Sequence, residues 1–254
     1  MSPRRRLLLL VVAGVAVAAL LVVVGLRLLG GRAGDGGRPD QALPGTVVLV
    51  PGYGGSQAGL SGLAERLRRE GRTTDIVTLP AEGTGDLAAQ AETLDRAVRD
   101  ALRDGAPSVD VIGYSAGGVV TRLWVERHHG AGVRRVVTLG SPLHGARIAG
   151  VGAAVAPDAC PQACRQLVPG SDLLRDLTGP LPEGLPWMSI WTENDETVQP
   201  PDSARLPGAV NVPLQSICPS SRVTHGELPT DPDVTALVLD ALAVAPLTAP
   251  TACP

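Results

Sequence analysis

The chain has 254 residues and a net charge of −3, with 22 basic residues that are all arginine, 25 acidic residues and only 2% aromatics. Six Arg against two Asp give residues 1–40 a charge of +4, which leaves −7 for the rest. An acidic body without aromatic-rich basic patches excludes a nucleic-acid binder, and the lack of any lysine excludes a Walker A phosphate loop.

The N-terminus opens with Arg4-Arg5-Arg6 and then Leu7 to Leu26, twenty consecutive apolar or glycine residues. That is about the length a helix needs to cross a bilayer, and the arginine cluster places the N-terminus inside. Residues 1–29 are therefore expected to be a signal anchor that puts a single-pass protein in the cell membrane with its main domain outside the cytoplasm. The alternative is a cleaved signal peptide and a secreted protein, but cutting at Ala16 to Ala19 would leave Leu20 to Val24 exposed on the mature chain. Residues 30–44 read as a flexible Gly/Arg/Asp tether. Residues 45–254 are about one domain of ordinary size.

Within this domain the pattern alternates: strand 46–50, helix 58–70, strand 74–79, helix 85–104, strand 108–113, helix 117–128, strand 133–140. Such alternation predicts an α/β fold with a mainly parallel central sheet and helices on both faces. Gly145 to Glu183 is a long insert containing Ile148, Val151, Val155, Leu167 and Leu173-Leu174. It reads either as a lid over a site or as helix that packs on the sheet. A short strand, 186–191, a polar turn, 192–200, another strand, 209–214, and a terminal helix, 234–244, complete the order.

The chemistry centres on Gly113-Tyr114-Ser115-Ala116-Gly117, the G-x-S-x-G pattern on a strand-to-helix turn. Small residues at 113 and 117 let strand and helix approach, and the strained turn exposes the Ser115 hydroxyl as a nucleophile. An acid should follow a later strand and a histidine should follow that. Asp195, after the strand ending at Trp191, is the candidate acid, with Glu193 and Glu196 as rivals. Of the four histidines, His225 is the base by topology. His128 and His129 end the helix after the nucleophile, where histidines interact with free carbonyls. His144 precedes any acid strand, yet it has a position from which it can line the site. The main-chain N–H groups of Ala116 and of Tyr53, in the loop Pro51 to Gly55, are the expected oxyanion donors. The glycines of that loop do not make a dinucleotide fingerprint, because residue 57 is Gln.

The four cysteines fall on the side expected outside the cell, where thiols pair. Cys160 with Cys164, one helical turn apart, and Cys218 with Cys253 are the expected disulfides; a zinc site is the alternative, although no histidine has finger-like spacing to them.

Val48 to Gly55, Gly113 to Gly118, Thr138 to Gly145, Asn194 to Pro200 and Thr224 to Pro229 together resemble the bacterial lipases and esterases of the α/β-hydrolase superfamily, most closely the actinobacterial class 2 lipases. The resemblance covers roughly residues 45 to 245. It implies an α/β-hydrolase fold and a carboxylic ester hydrolase with Ser115 as nucleophile, His225 as general base and acid, and Asp195, rather than Glu193, as the orienting acid. Many relatives have His-Gly where this chain has Pro51-Gly52. Leu143, His144 and Val198, inside these motifs, are the candidate substrate-binding residues. An ester or lipid is the expected substrate, acted on by a monomer with no cofactor and no metal. The same triad also serves acyl transfer, and a noncatalytic binding module on a hydrolase fold is the rival of a different class.

Overall fold

The computed structural model describes Arg5 and residues 38–254. The expected anchor helix over residues 7–26 lies outside the described residues. Among those described, no helix is long and apolar enough to cross a membrane.

Six strands form one sheet: β1 (Thr46–Val50), β2 (Thr74–Ile76), β3 (Val109–Tyr114), β4 (Val133–Leu139), β5 (Trp187–Trp191) and β6 (Val210–Pro213). Their order is β2-β1-β3-β4-β5-β6, and each neighbouring pair is parallel. The helices are α1 (Ala58–Arg69), α2 (Leu87–Arg103), α3 (Ala116–His128), α4 (Arg147–Val155), α5 (Gln162–Gln166), α6 (Asp172–Asp176), α7 (Leu214–Ile217) and α8 (Pro232–Ala241).

A parallel sheet needs cover on both faces, so its strands read as near-continuous apolar runs. In β1 the period-two alternation divides that run. Val48 and Val50 join the layer containing α2 and α3, while Val47 and Leu49 join the layer containing α1 and α8. On α1, Leu60, Leu63 and Leu67 fall on one face and are buried, each worth about 1.5–3 kcal/mol of apolar transfer. α2 starts at Leu87 rather than 85, because the Asp86 side chain accepts the Ala88 N–H at 3.0 Å and caps the helix there.

Two expectations are corrected. The strand expected over 74–79 stops pairing regularly after Ile76, since Pro80 opens a 3-10 turn with Ala81 and Glu82 at positive φ. The last residues of the expected tether are docked, not free. Arg38 donates to the carbonyls of Gly130 (3.0 Å) and Glu183 (3.1 Å), and Gln41 bonds with Arg134 and Arg135. Arginine's several donors suit carbonyls left open at loop ends. The insert 145–183 divides into three short helices. Leu167, Leu174 and Ala163 pack into the α2–α3 layer, and Gln166 bonds to Asp86 and the Leu87 N–H. Ile148, Val151 and Val155 of α4 stay exposed.

Candidate active site

β3 ends at Tyr114 and α3 begins at Ala116, leaving Ser115 alone at the reversal. Its φ of 53° and ψ of −127° are strained for a residue with a side chain. The turn closes only around glycine. A Cβ on Gly117 would lie 2.2 Å from the Val50 carbonyl oxygen, and one on Gly113 would lie 2.6 Å from the Gly118 Cα. The Ser115 N–H donates to the Leu139 carbonyl at 2.8 Å, which pins the turn to the end of β4.

His225 opens a 3-10 turn that ends at Glu227. The pattern Thr-x-x-Glu explains the turn: the Glu227 carboxylate accepts from the Thr224 N–H (2.9 Å) and hydroxyl (2.7 Å). The Thr224 backbone bond, followed by its side-chain bond, holds the Glu227 carboxyl below its ordinary range. The ring of His225 is buried, with Nε2 3.0 Å from Ser115 Oγ and Nδ1 2.6 Å from Asp195 Oδ2. An ionised carboxylate only accepts, so Nδ1 carries the proton and Nε2 presents its lone pair to Ser115.

Asp195 follows β5 and is 1% exposed. Its Oδ1 accepts the N–H groups of Thr197 (2.9 Å) and Val198 (2.6 Å), and this leaves Oδ2 for His225. The two rival carboxylates are exposed and stand elsewhere. Glu193 donates its main-chain N–H to Gln215, and Glu196 accepts the main-chain N–H of His225.

The structure thus brings Ser115, His225 and Asp195 together. Ala116 is the first residue of α3 and is buried, and the loop bearing Tyr53 passes beside the serine. A Cβ on Gly52 would lie 2.9 Å from the Ser115 Cβ and 3.5 Å from Oγ, so the backbone at 52–53 can approach only because residue 52 has no side chain. The expected substrate-binding residues differ in exposure. Leu143 (6% exposed) packs in the α2–α3 layer and Val198 (2% exposed) serves Asp195, while His144 is exposed with Nδ1 3.0 Å from the Ser203 carbonyl. Tyr114 and Glu196 are contacts that motif reading alone passes over; the signal available was their adjacency to Ser115 and Asp195.

His128 does not face free carbonyls. Its ring stacks on Trp124 and points at Asp95 (3.4 Å) and Glu92 (3.8 Å), whose carboxylates also pair with Arg99 and Arg127. The disulfides are Cys160–Cys164 and Cys218–Cys253, as expected, so sulfur ligation of zinc does not apply.

A parallel sheet with a strained serine between strand and helix, set against a buried histidine and carboxylate, defines an α/β-hydrolase of the serine hydrolase class. A family model for palmitoyl protein thioesterase matches residues 46–175, and the chain belongs to that family. Among solved structures, lipase B of Aspergillus fumigatus superposes with a TM-score of 0.67 at 22% identity, over 78% of this chain and 52% of that one. The mature lipase BlEst2 of Bacillus licheniformis gives 0.66 at 18% identity, over 83% and 96%. The monoacylglycerol lipase of Paleococcus ferrophilus gives 0.57 at 16%, over 81% and 95%. These likenesses concern the fold, and this chain spans about half the length of the Aspergillus protein. No curated protein matches the sequence significantly.

Proposed function

We propose that the chain is a serine carboxylic ester hydrolase, of the lipase and esterase kind, working outside the cytoplasm and tethered by residues 7–26. The observation that carries this reading is the relay itself, with Ser115 Oγ 3.0 Å from His225 Nε2 and His225 Nδ1 2.6 Å from Asp195. His225 takes the hydroxyl proton as Oγ attacks the ester carbonyl, and Asp195 offsets the charge of the imidazolium. The N–H groups of Tyr53 and Ala116 hold the oxyanion; the close approach of Gly52 to Ser115 supports the first of these. His225 then gives the proton to the departing alcohol, and water, activated the same way, releases the acid.

The exposed Ile148, Val151 and Val155 of α4 support a role for this helix in contacting the acyl chain. Replacing them by serine should shift chain-length preference, and an unchanged preference with full activity rejects that role. Two disulfides support an oxidising compartment. Alkaline extraction should leave the chain with the membrane; recovery of a soluble chain lacking residues 1–29 would make it secreted instead.

A second reading, acyl thioester hydrolysis, is favoured by the family match over residues 46–175, whereas the resemblance to class 2 lipases favours oxygen esters. Both are tested by giving the full-length protein p-nitrophenyl esters from acetyl to palmitoyl and palmitoyl-coenzyme A, beside Ser115→Ala. Ester turnover lost in the variant supports the proposal, a preference for the thioester supports the second reading, and equal turnover in the variant refutes both.

A further inference from the structure

The imidazole of His225 is oriented by Asp195, but the peptide groups of His225 have partners of their own. Its main-chain N–H donates to Glu196 Oε2 at 3.2 Å, and its main-chain carbonyl accepts from the Tyr114 hydroxyl, also at 3.2 Å. The Tyr114 ring lies 5.3 Å from the imidazole, centroid to centroid, tilted by 32°. Each partner is the chain neighbour of another member of the relay: Tyr114 precedes Ser115 at the end of β3, and Glu196 follows Asp195 in the turn after β5. Two dipeptides therefore grip His225, each with one residue on the ring and one on the backbone.

We propose that Tyr114 and Glu196 are positioning residues that hold the backbone of His225 so that Nε2 stays aimed at Ser115. This rests on the Ser115–His225–Asp195 relay being the catalytic one. The need for such a clamp is local. His225 sits in a three-residue 3-10 turn, a short and weakly bonded element, and is followed by Gly226, whose Cβ position is open space. A misplacement of about 1 Å at a reacting group costs on the order of 10²-fold in rate. Asp195 restrains only the ring; within the turn the His225 carbonyl accepts only a long 3.3 Å bond from the Leu228 N–H, and the bonds to Glu196 and Tyr114 are what tie the peptide to the rest of the fold. The other charged group of the turn, Glu227, is committed to Thr224. Burial, then the charges of Asp195 and Glu196, push the Tyr114 hydroxyl up to about 12, so it remains a donor at neutral pH.

The test compares full-length wild type, Glu196→Ala, Glu196→Gln and Tyr114→Phe on p-nitrophenyl butyrate, with kcat and KM separated and kcat expressed per serine labelled by a fluorophosphonate. Counting labelled serines removes any fraction that fails to fold. Glu196→Ala should lower kcat about tenfold with KM changed less than about twofold, as expected for ring misplacement rather than lost substrate binding. Glu196→Gln keeps an oxygen to accept the His225 N–H and should recover kcat to within about threefold. Tyr114→Phe should lower kcat by about threefold to tenfold, again without a change in KM. Wild-type kcat in Glu196→Ala and Tyr114→Phe overturns the proposal, and so does a Gln variant as slow as Ala. Ser115→Ala in the same assay separates the two levels: hydrolysis there removes the relay reading, whereas an inactive Ser115→Ala beside an unaffected Glu196→Ala removes only the clamp.

Discussion

Asparagine and alanine at position 195 should separate activity from stability. The Asp195 Oδ1 accepts two main-chain N–H groups, at 2.9 and 2.6 Å, and Oδ2 accepts from His225 at 2.6 Å, all at 1% exposure. Asparagine keeps an oxygen for Thr197 and Val198, so the turn should stay within about 1 kcal/mol of wild type. Its amide nitrogen, however, faces Nδ1 as a donor, and the histidine proton must move to Nε2. That nitrogen then donates to Ser115 and cannot take its proton, which predicts a fall in kcat of about 10³–10⁴-fold. Alanine removes the carboxylate altogether and strands two main-chain N–H groups besides freeing the His225 ring. At about 1–3 kcal/mol for each buried orphan, partly relieved by water at the half-buried Thr197, it should cost about 2–4 kcal/mol as well as activity. Urea unfolding and p-nitrophenyl butyrate kinetics on the same preparations measure both effects. An Asn variant within tenfold of wild-type kcat, or one as unstable as the Ala variant, refutes the reasoning.

Gly117→Ala places a methyl 2.2 Å from a backbone oxygen of β1, which cannot give way as a flexible side chain would; a loss of at least about 1–3 kcal/mol and of fluorophosphonate labelling is expected in thermal melts and probe assays. Tyr114, whose pKa rises from 10.0 to about 12 in the fold, binds its proton more tightly folded than unfolded. Its contribution is therefore fully present below pH 10 and is lost as pH rises through about 12, so wild type should lose more stability over that interval than Tyr114→Phe, and parallel curves would contradict this. Removing the Cys218–Cys253 bond by Cys218→Ser with Cys253→Ser frees a loop of 35 residues and should lower unfolding free energy by about 2–4 kcal/mol, read by urea denaturation.

The elbow was legible because its causes are local. A strand-like run before Ser115, glycines on both sides and an apolar helix after it are contiguous, and the clashes that forbid larger residues at 113 and 117 involve the immediately following helix and the adjacent strand. The parallel sheet was legible for a similar reason, since apolar runs buried on both faces alternate with amphipathic helices such as α1 and α2. Topology alone also singled out His225, the histidine after the last strand.

The choice among Glu193, Asp195 and Glu196 was not local. All three carboxylates lie in one turn, and only the way this turn folds over decides which faces the ring. The short Asp195 side chain accepts from Thr197 and Val198 and so points inward, whereas Glu196 reaches back to the peptide of His225. The burial of Leu143 and Val198 was likewise set by packing, and His128 found its partners across the α2–α3 contact rather than at its own helix end.

Sequence by itself determined the order of strands and helices, the strained serine and the candidate base, because periodicity, glycine sterics and chain order act over a few residues or along the chain. Tertiary structure alone decided how Asp195, already the candidate acid, is turned onto the ring, the grip of Tyr114 and Glu196 on His225, and the burial of Leu143 and Val198. Those depend on the C-terminal ends of β3, β5 and β6 all lying at the same end of the parallel sheet, with β4 between β3 and β5, and hydrogen bonds between groups 29 to 111 positions apart exist only once the strands have paired.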